Sequence, residues 1–417
     1  MSRVAVVGSG IAGLATAYLL RNTADVVVFE ATDRVGGHTH TVRVDLADET
    51  HYVDCGFIVH NEPNYPLLTR LFRELGVTTQ ESDMTFSVSN EQTGLEWNGK
   101  NLATIFAQPR NALHPSFVRM LVDIVRLNSA ARTLARSSDD GDITSLGDFL
   151  DVHHLRGRVL DDYLYPLVSA IWSADPRALG SFPARSLFRF LDQHGLLSTS
   201  GRPVWRTVVG GSSRYVDQLL KALRRPVRVA TPVRSVLRTG QGVELRTGTG
   251  EVEFFDHVVL ACHTDQVLPL LADASEIERA VFGALRYQPN EVTLHTDRRM
   301  LPRARRAWAS WNYHVTADPR SVPTVTYHMN RLQRLRASEE FCVTLNRRHE
   351  IDPARVIATL EMAHPVYDVA SAASQRRLPE IQGRRNTWFA SAGWADGFHE
   401  DAVETAVTVA AGLGVSW

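Results

Sequence analysis

The chain has 417 residues, of which 44% are hydrophobic and 22% charged, and a formal net charge of −1. That length allows two or three domains with cores of their own, and the near-neutral balance points away from nucleic acid as a partner. The positive charge is almost all arginine, Lys100 and Lys221 being the lysines, and Cys55, Cys262 and Cys342 are too scattered to form a disulfide framework or a metal site.

The first apolar run begins directly after Met1, so no signal peptide is expected, and no apolar run is long enough to span a bilayer. Residues 4–7 form that run. Gly8, Gly10 and Gly13 follow in G-x-G-x-x-G spacing, then a helical pattern over 14–20, then a β-branched run over 26–29 that ends in Glu30. The spacing predicts strand, tight turn, helix and strand. Gly8 permits the turn, Gly10 lets backbone approach a pyrophosphate, and Gly13 lets the helix lie close to the sheet. The first helical residues, Ile11, Ala12 and Gly13, would offer free N–H groups and the positive dipole end to phosphate. Glu30 is placed to accept from a ribose 2′-hydroxyl. Arg34, Gly36 and Gly37 follow as R-x-G-G. The arginine can bond a phosphate or close over a nucleotide.

The run from the first glycine to R-x-G-G resembles the FAD fingerprint of the flavin amine oxidase and phytoene desaturase superfamily. The resemblance implies an α/β fold with a Rossmann-type, glutathione-reductase-like FAD-binding domain, discontinuous in sequence, and a second α+β substrate domain. The expected boundaries are 1–76, 202–267 and 384–417 for the FAD-binding domain, and 77–201 with 268–383 for the substrate domain.

Further along, residues 39–52 read as a hairpin, and Asp54-Cys55-Gly56 matches a D-x-G segment that lies beside the flavin in this superfamily, which implies contacts from Asp54 and Gly56. A helical pattern over 65–76 ends at Gly76. Short strands are expected near 84–88 and 94–99, then mostly helix from 102 to about 197, interrupted by a polar loop at 137–142. Within that block residues 163–172 are the most apolar and aromatic, and Tyr165 and Trp172 are candidates for a substrate pocket, against the plainer reading of helix core. Arg119, Arg126, Arg132 and Arg136 lie on one amphipathic run that could face anionic lipid, or simply solvent. A helix over 213–223 precedes strands at 227–229, 233–238, 243–245, 252–254 and 255–261. The resemblance places Val233 beside the adenine through its backbone. Strands at 292–295 and 324–328 follow. The block 387–402 resembles the superfamily's C-terminal flavin motif, with Gly393, Phe398 and His399 at the ring and a helix N-terminus to stabilise charge on it.

Phrases such as GFIVHNEPNYP, RPVWRTVVGGS and ADGFHEDA are similar to a bacterial subgroup of flavin oxidoreductases associated with fatty-acid modification, including methyl-branched and furan fatty acids. Three departures separate the chain from ordinary amine oxidases. Lys100 and Lys221 fall outside the segments where such enzymes hold a flavin-side lysine. Cys342 is too early for a covalent flavin link, so non-covalent FAD is expected. Trp394 replaces the acid that usually follows the glycine. The expected reaction is desaturation of a hydrophobic substrate, an acyl chain of a phospholipid. Amine oxidation and isoprenoid desaturation are the alternatives, and a non-catalytic flavin-binding protein is the reading outside enzymes. His399 and Glu400 are the candidate acid or base, with helix capping as the competing role; Phe398 joins Tyr165 and Trp172 in the pocket. A cytoplasmic protein, in peripheral contact with the inner face of the membrane, fits these expectations.

Overall fold

A computed structural model describes residues 1–47, 49–137, 144–198, 200–318 and 322–417. All but Ser137 of the polar loop expected at 137–142 lies outside the described residues.

The strand Ser2–Val7 lies inside a four-stranded parallel sheet in the order Thr387–Phe389, His257–Leu260, Ser2–Val7, Ala24–Phe29. Its β-branched run suits a strand covered on both faces. Alternation decides which cover each side chain meets. Val4 and Val6 pack with helices Ile11–Leu20 and His399–Gly412, whereas Ala5 and Val7 pack with the antiparallel meander Val233–Thr239, Gly242–Thr247 and Val252–Phe255. All ten residues of Ile11–Leu20 are buried, because this helix is sandwiched between the sheet and His399–Gly412.

A second sheet has seven strands in the order Val356–Val366, Arg286–His295, Cys342–Leu345, Thr324–His328, Trp311–Val315, Phe86–Asn90, Leu95–Asn98. Trp311–Val315 and Phe86–Asn90 run parallel; the other neighbours are antiparallel. Helices Pro115–Ala135, Tyr165–Trp172 and Ala184–Gln193 share an apolar cluster that includes Phe117, Met120, Trp172, Phe188 and Phe190. Residues 39–52 do enter a hairpin, Thr41–Asp45 with Thr50–Asp54.

Two expected strands are corrected. The run 227–229 makes only one bridge, Arg228 to Phe29, since Pro226 precedes it and Ala230 turns left-handed at φ 48°. The run 255–261 breaks at Asp256, whose carboxylate accepts from Arg3 N (2.6 Å) and Ser2 Oγ (3.2 Å), so that Val252–Phe255 and His257–Leu260 part into different sheets.

Candidate active site

The carboxyl ends of the parallel strands converge at the glycine turn, the position where open α/β sheets bind their ligands. Gly8 has φ 109°, and a Cβ there would lie 2.6 Å from Ala261 O, just beyond the strand His257–Leu260. A Cβ on Gly13 would lie 2.0 Å from Gly8 O. Gly10 is different: nothing stands within 4 Å of where its Cβ would be. It is the N-cap of Ile11–Leu20, with no side chain capping that helix and no acid in its first turn. Open space in front of unclaimed N–H groups fits a pyrophosphate, which supplies the acceptors the helix end lacks.

The flanking residues close around this turn. Glu30 accepts from Ser9 N (3.1 Å) and Ser9 Oγ with one oxygen, and from Thr32 N (2.9 Å) with the other. Thr231 N donates to Glu30 O (2.8 Å), which brings the segment leading to Val233 beside the acid. Val233 itself is buried at the start of the meander, paired with Thr247. A Cβ on Gly37 would lie 3.0 Å from Gly10 Cα, so the R-x-G-G loop stacks on the first turn. The Arg34 guanidinium spends its donors on the carbonyls of Thr39 (2.8 Å) and Gly37 (2.5 Å). It holds its own loop, with Gly36 at φ 116°.

Asp54 and Gly56 part company. Gly56 packs directly on the loop, where a Cβ would fall 1.9 Å from His38 O. Asp54 turns inward, because Thr41 Oγ1 (2.5 Å), Ser212 N (2.8 Å), Ser212 Oγ (2.8 Å) and Gln333 Nε2 (3.0 Å) all donate to its carboxylate. Full burial outweighs those donors and lifts its carboxyl to about 7. Its side chain therefore ties the hairpin to the loop before Ser213–Ala222 rather than facing a ligand.

A group absent from the sequence reading comes together here. His38 follows the R-x-G-G loop, His263 follows the strand His257–Leu260, and His364 lies on Val356–Val366 of the seven-stranded sheet. Ring centroids are 5.2 Å apart for His38–His263 and 5.9 Å for His38–His364, and Tyr287 stacks on His263 at 4.5 Å. Burial lowers His38 and His263 to about 4 and His364 to about 3, so all three are neutral. Yet each keeps part of its accessible surface. Gly393 packs against the same group: a Cβ there would lie 2.5 Å from Tyr287 OH. His38 carries a signal the sequence reading could have used, since it directly follows Gly37.

The C-terminal block brings a set of aromatic rings together. Phe398 caps His399–Gly412, its N–H donating to Asp401 Oδ2 (2.7 Å). Its ring stacks on Phe190 at 5.0 Å and approaches Trp172 at 6.4 Å; Tyr367 lies 6.1 Å from Trp172. Trp172 Nε1 donates to Asp396 O (3.1 Å). Trp172 and Phe398 are thus brought together, but Tyr165 is not. It sits at the opposite end of the eight-residue helix Tyr165–Trp172, roughly 10 Å away at 1.5 Å per residue. Tyr165 follows a wide turn in which its N–H reaches back to Leu160 O.

His399 and Glu400 are both committed to structure. His399 Nε2 lies 2.9 Å from Tyr215 OH and 3.1 Å from Thr39 Oγ1, and its ring stacks on Phe57 at 3.7 Å. Burial lowers it to about 3, so no imidazolium is at hand to donate a proton. Glu400 caps another helix: its two oxygens accept from Leu67 N (2.8 Å) and Leu68 N (2.9 Å) at the start of Pro66–Glu74. We expect Glu400→Ala to lower unfolding stability by about 2 kcal/mol, the worth of two charge-assisted bonds at a helix N-terminus. Flavin reduction by substrate should stay within about twofold of wild type; a loss of orders of magnitude in stopped-flow reduction, with stability intact, would return Glu400 to acid–base duty.

Among the described residues no group of histidine, cysteine and acidic side chains is arranged to hold a metal, and no helix is long and apolar enough to cross a membrane. The profile of the flavin containing amine oxidoreductase family matches residues 11–349. Flavin-containing amine oxidase B of Bos taurus is 27% identical over 275 residues, covering 62% of this chain and 49% of that protein. Carotenoid phi-ring synthase of Streptomyces griseus is 30% identical over 323 residues, covering 69% and 58%. The chain thus spans about half the length of the curated amine oxidases it matches. Among solved structures, a CLA-producing fatty acid isomerase from P. acnes superposes with a TM-score of 0.68 at 17% identity, over 97% of each chain. With a glycine turn whose open side fits a dinucleotide and a profile match over residues 11–349, this chain belongs to the flavin containing amine oxidoreductase family.

Proposed function

We propose that the chain oxidises a C–H bond of a hydrophobic substrate, an acyl chain of a phospholipid, and leaves a carbon–carbon double bond. The observation that carries this reading is that two sets of rings meet: Trp172, Phe190, Phe398 and Tyr367 contact one another, and Ser173, next to Trp172, bonds His364 of the neutral set His38, His263 and His364, which together would form the lining of the substrate site. Neither lysine reaches it. Lys100 Nζ bonds Asp83 Oδ2 (2.8 Å), and Lys221 stands exposed in the last turn of Ser213–Ala222. The relative named for a carotenoid ring points the same way.

Bound FAD supplies the hydride acceptor; the protein supplies orientation, electrostatics and exclusion of water. The aromatic wall holds the chain by area and shape. Desaturation releases a proton along with the hydride; since burial disfavours the imidazolium, these imidazoles could only relay it, not hold it. His364 Nδ1 lies 3.0 Å from Ser173 Oγ, a hydroxyl that can pass it on.

A second reading, oxidation of an amine, rests on Asp396 and Asp401. Both flank Phe398 in sequence, and burial lifts their carboxyls to about 6 and about 8, with the Asp396 charge adding to the second. Asp396 nonetheless keeps its accessible surface, so a cation could meet it there. Lipid mass spectrometry of cells with and without the gene separates the two. An acyl species lighter by two hydrogens, present only with the gene, is expected. Unchanged lipids, together with anaerobic bleaching of the flavin by a simple amine, would replace desaturation with amine oxidation.

A further inference from the structure

The helix Pro115–Ala135 is apolar on two faces. Phe117, Met120, Leu127 and Ala131 are buried, and an apolar inner stripe of this kind accounts for one face. On the other, Val118, Val122 and Val125 recur at i, i+4 and i+7 and are 43%, 56% and 69% exposed; Leu113, in the turn before the helix, is 83% exposed. Four large apolar side chains exposed within thirteen residues make a patch, not scattered exceptions.

Charge surrounds this patch asymmetrically. Residues 101–137 contain five arginines, 110, 119, 126, 132 and 136, and one acid, Asp123, a balance of +4 in a chain whose total is −1. Asp123 is shared by Arg126 (2.9 Å) and Arg119 (3.4 Å), whose side chains remain 53% and 77% exposed. Arg136 pairs with Asp192 of Ala184–Gln193 (2.9 Å), and Arg132 has no ion-pair partner among the described residues.

We propose that this outer face of Pro115–Ala135 docks on the surface of an anionic phospholipid bilayer. The valines would enter the boundary between headgroups and acyl chains, and the arginines would meet lipid phosphate, the pattern of a helix lying in the interface. A second copy of the chain is a poorer occupant, since a twofold contact would set arginine against arginine. The next layer inward is Ala184–Gln193, which packs on this helix and carries Phe190 of the aromatic wall. The inference goes beyond the oxidation reaction and stands or fails without it, because vesicle binding needs no turnover.

The test is co-sedimentation of the purified full-length, FAD-loaded protein with vesicles of phosphatidylcholine alone or mixed with phosphatidylglycerol. Wild type should partition onto the anionic vesicles and be released by high salt. Val118→Ser/Val122→Ser/Val125→Ser, with an unchanged flavin spectrum and melting temperature, should lower that partitioning roughly tenfold. Arg119→Gln/Arg132→Gln, which leaves Arg126 on Asp123, should lower it roughly twenty-five-fold, at roughly fivefold per arginine near an anionic surface, and weaken the preference for anionic vesicles. Failure of wild type to bind the anionic vesicles would overturn the proposal. So would wild-type binding by both variants, or a dimer in analytical ultracentrifugation that the serine variant dissolves, which would make the patch a self-interface.

Discussion

Gly10→Val is expected to give a folded but colourless protein, and Gly13→Ala one that does not fold. The two glycines stand three residues apart in one motif, yet the surroundings of their missing Cβ atoms are opposite. No other part of the fold stands within 4 Å of where a Cβ on Gly10 would be, so a side chain there starts in open space. It would fill the space in front of Ile11–Leu20, where the uncapped N–H groups need a phosphate acceptor. Around Gly13 a Cβ would stand 2.0 Å from Gly8 O, which is backbone and cannot rotate aside. The helix would have to leave a sheet against which all ten of its residues are buried. That cost lies well above the ~1–3 kcal/mol of ordinary overpacking. Circular dichroism melts paired with FAD content after denaturation read the two effects separately. A Gly10→Val protein that retains a full complement of FAD would refute the placement of the pyrophosphate.

What could be read from the sequence was what is local. Strand, glycine turn, helix, second strand and R-x-G-G fall within about forty residues, and each is dictated by near neighbours: β-branched alternation, absent Cβ atoms, an acid at a strand end. The fold follows from them. The site does not, because its contacts join distant segments. Glu400 reads as a helix-start acid, but its partners Leu67 and Leu68 are over three hundred residues earlier. Asp54 reads as a flavin neighbour, but it meets Gln333 and Ser212 across the fold. His38 meets Ala363 O at 3.0 Å, and nothing near position 363 announces that pairing. Composition groups Tyr165 with Trp172; the rise of the helix separates them, and it is Phe190, from the next helix, that joins Trp172 and Phe398.

The same buried rings set an expectation for acid stability. Nine histidines are desolvated enough to titrate far below 6.5: His38, His40, His60, His194, His263 and His295 at about 4, and His314, His364 and His399 at about 3. Between those values and 6.5 the unfolded chain binds protons that the folded chain refuses, so stability rises with pH in that window and is lost as pH falls through it. Three carboxyls act in the opposite sense. Burial raises Asp396 to about 6, Asp54 to about 7 and Asp401 to about 8 from 3.8, so the folded form holds protons the unfolded form has released, and their contribution declines as pH rises through those values. Below 6.5 nine groups oppose three and the histidines win; above it only the carboxyls still change. Stability at a fixed excess of FAD should therefore peak near neutrality, fall steeply toward about pH 4.5 and fall gently toward about pH 8.5. Urea unfolding across that range measures it, with the midpoint as readout. A midpoint that is flat, or rises, between neutrality and about pH 5 would mean that these imidazoles are not held neutral in the folded protein, and with them would go the uncharged lining on which the choice of a hydrophobic substrate depends.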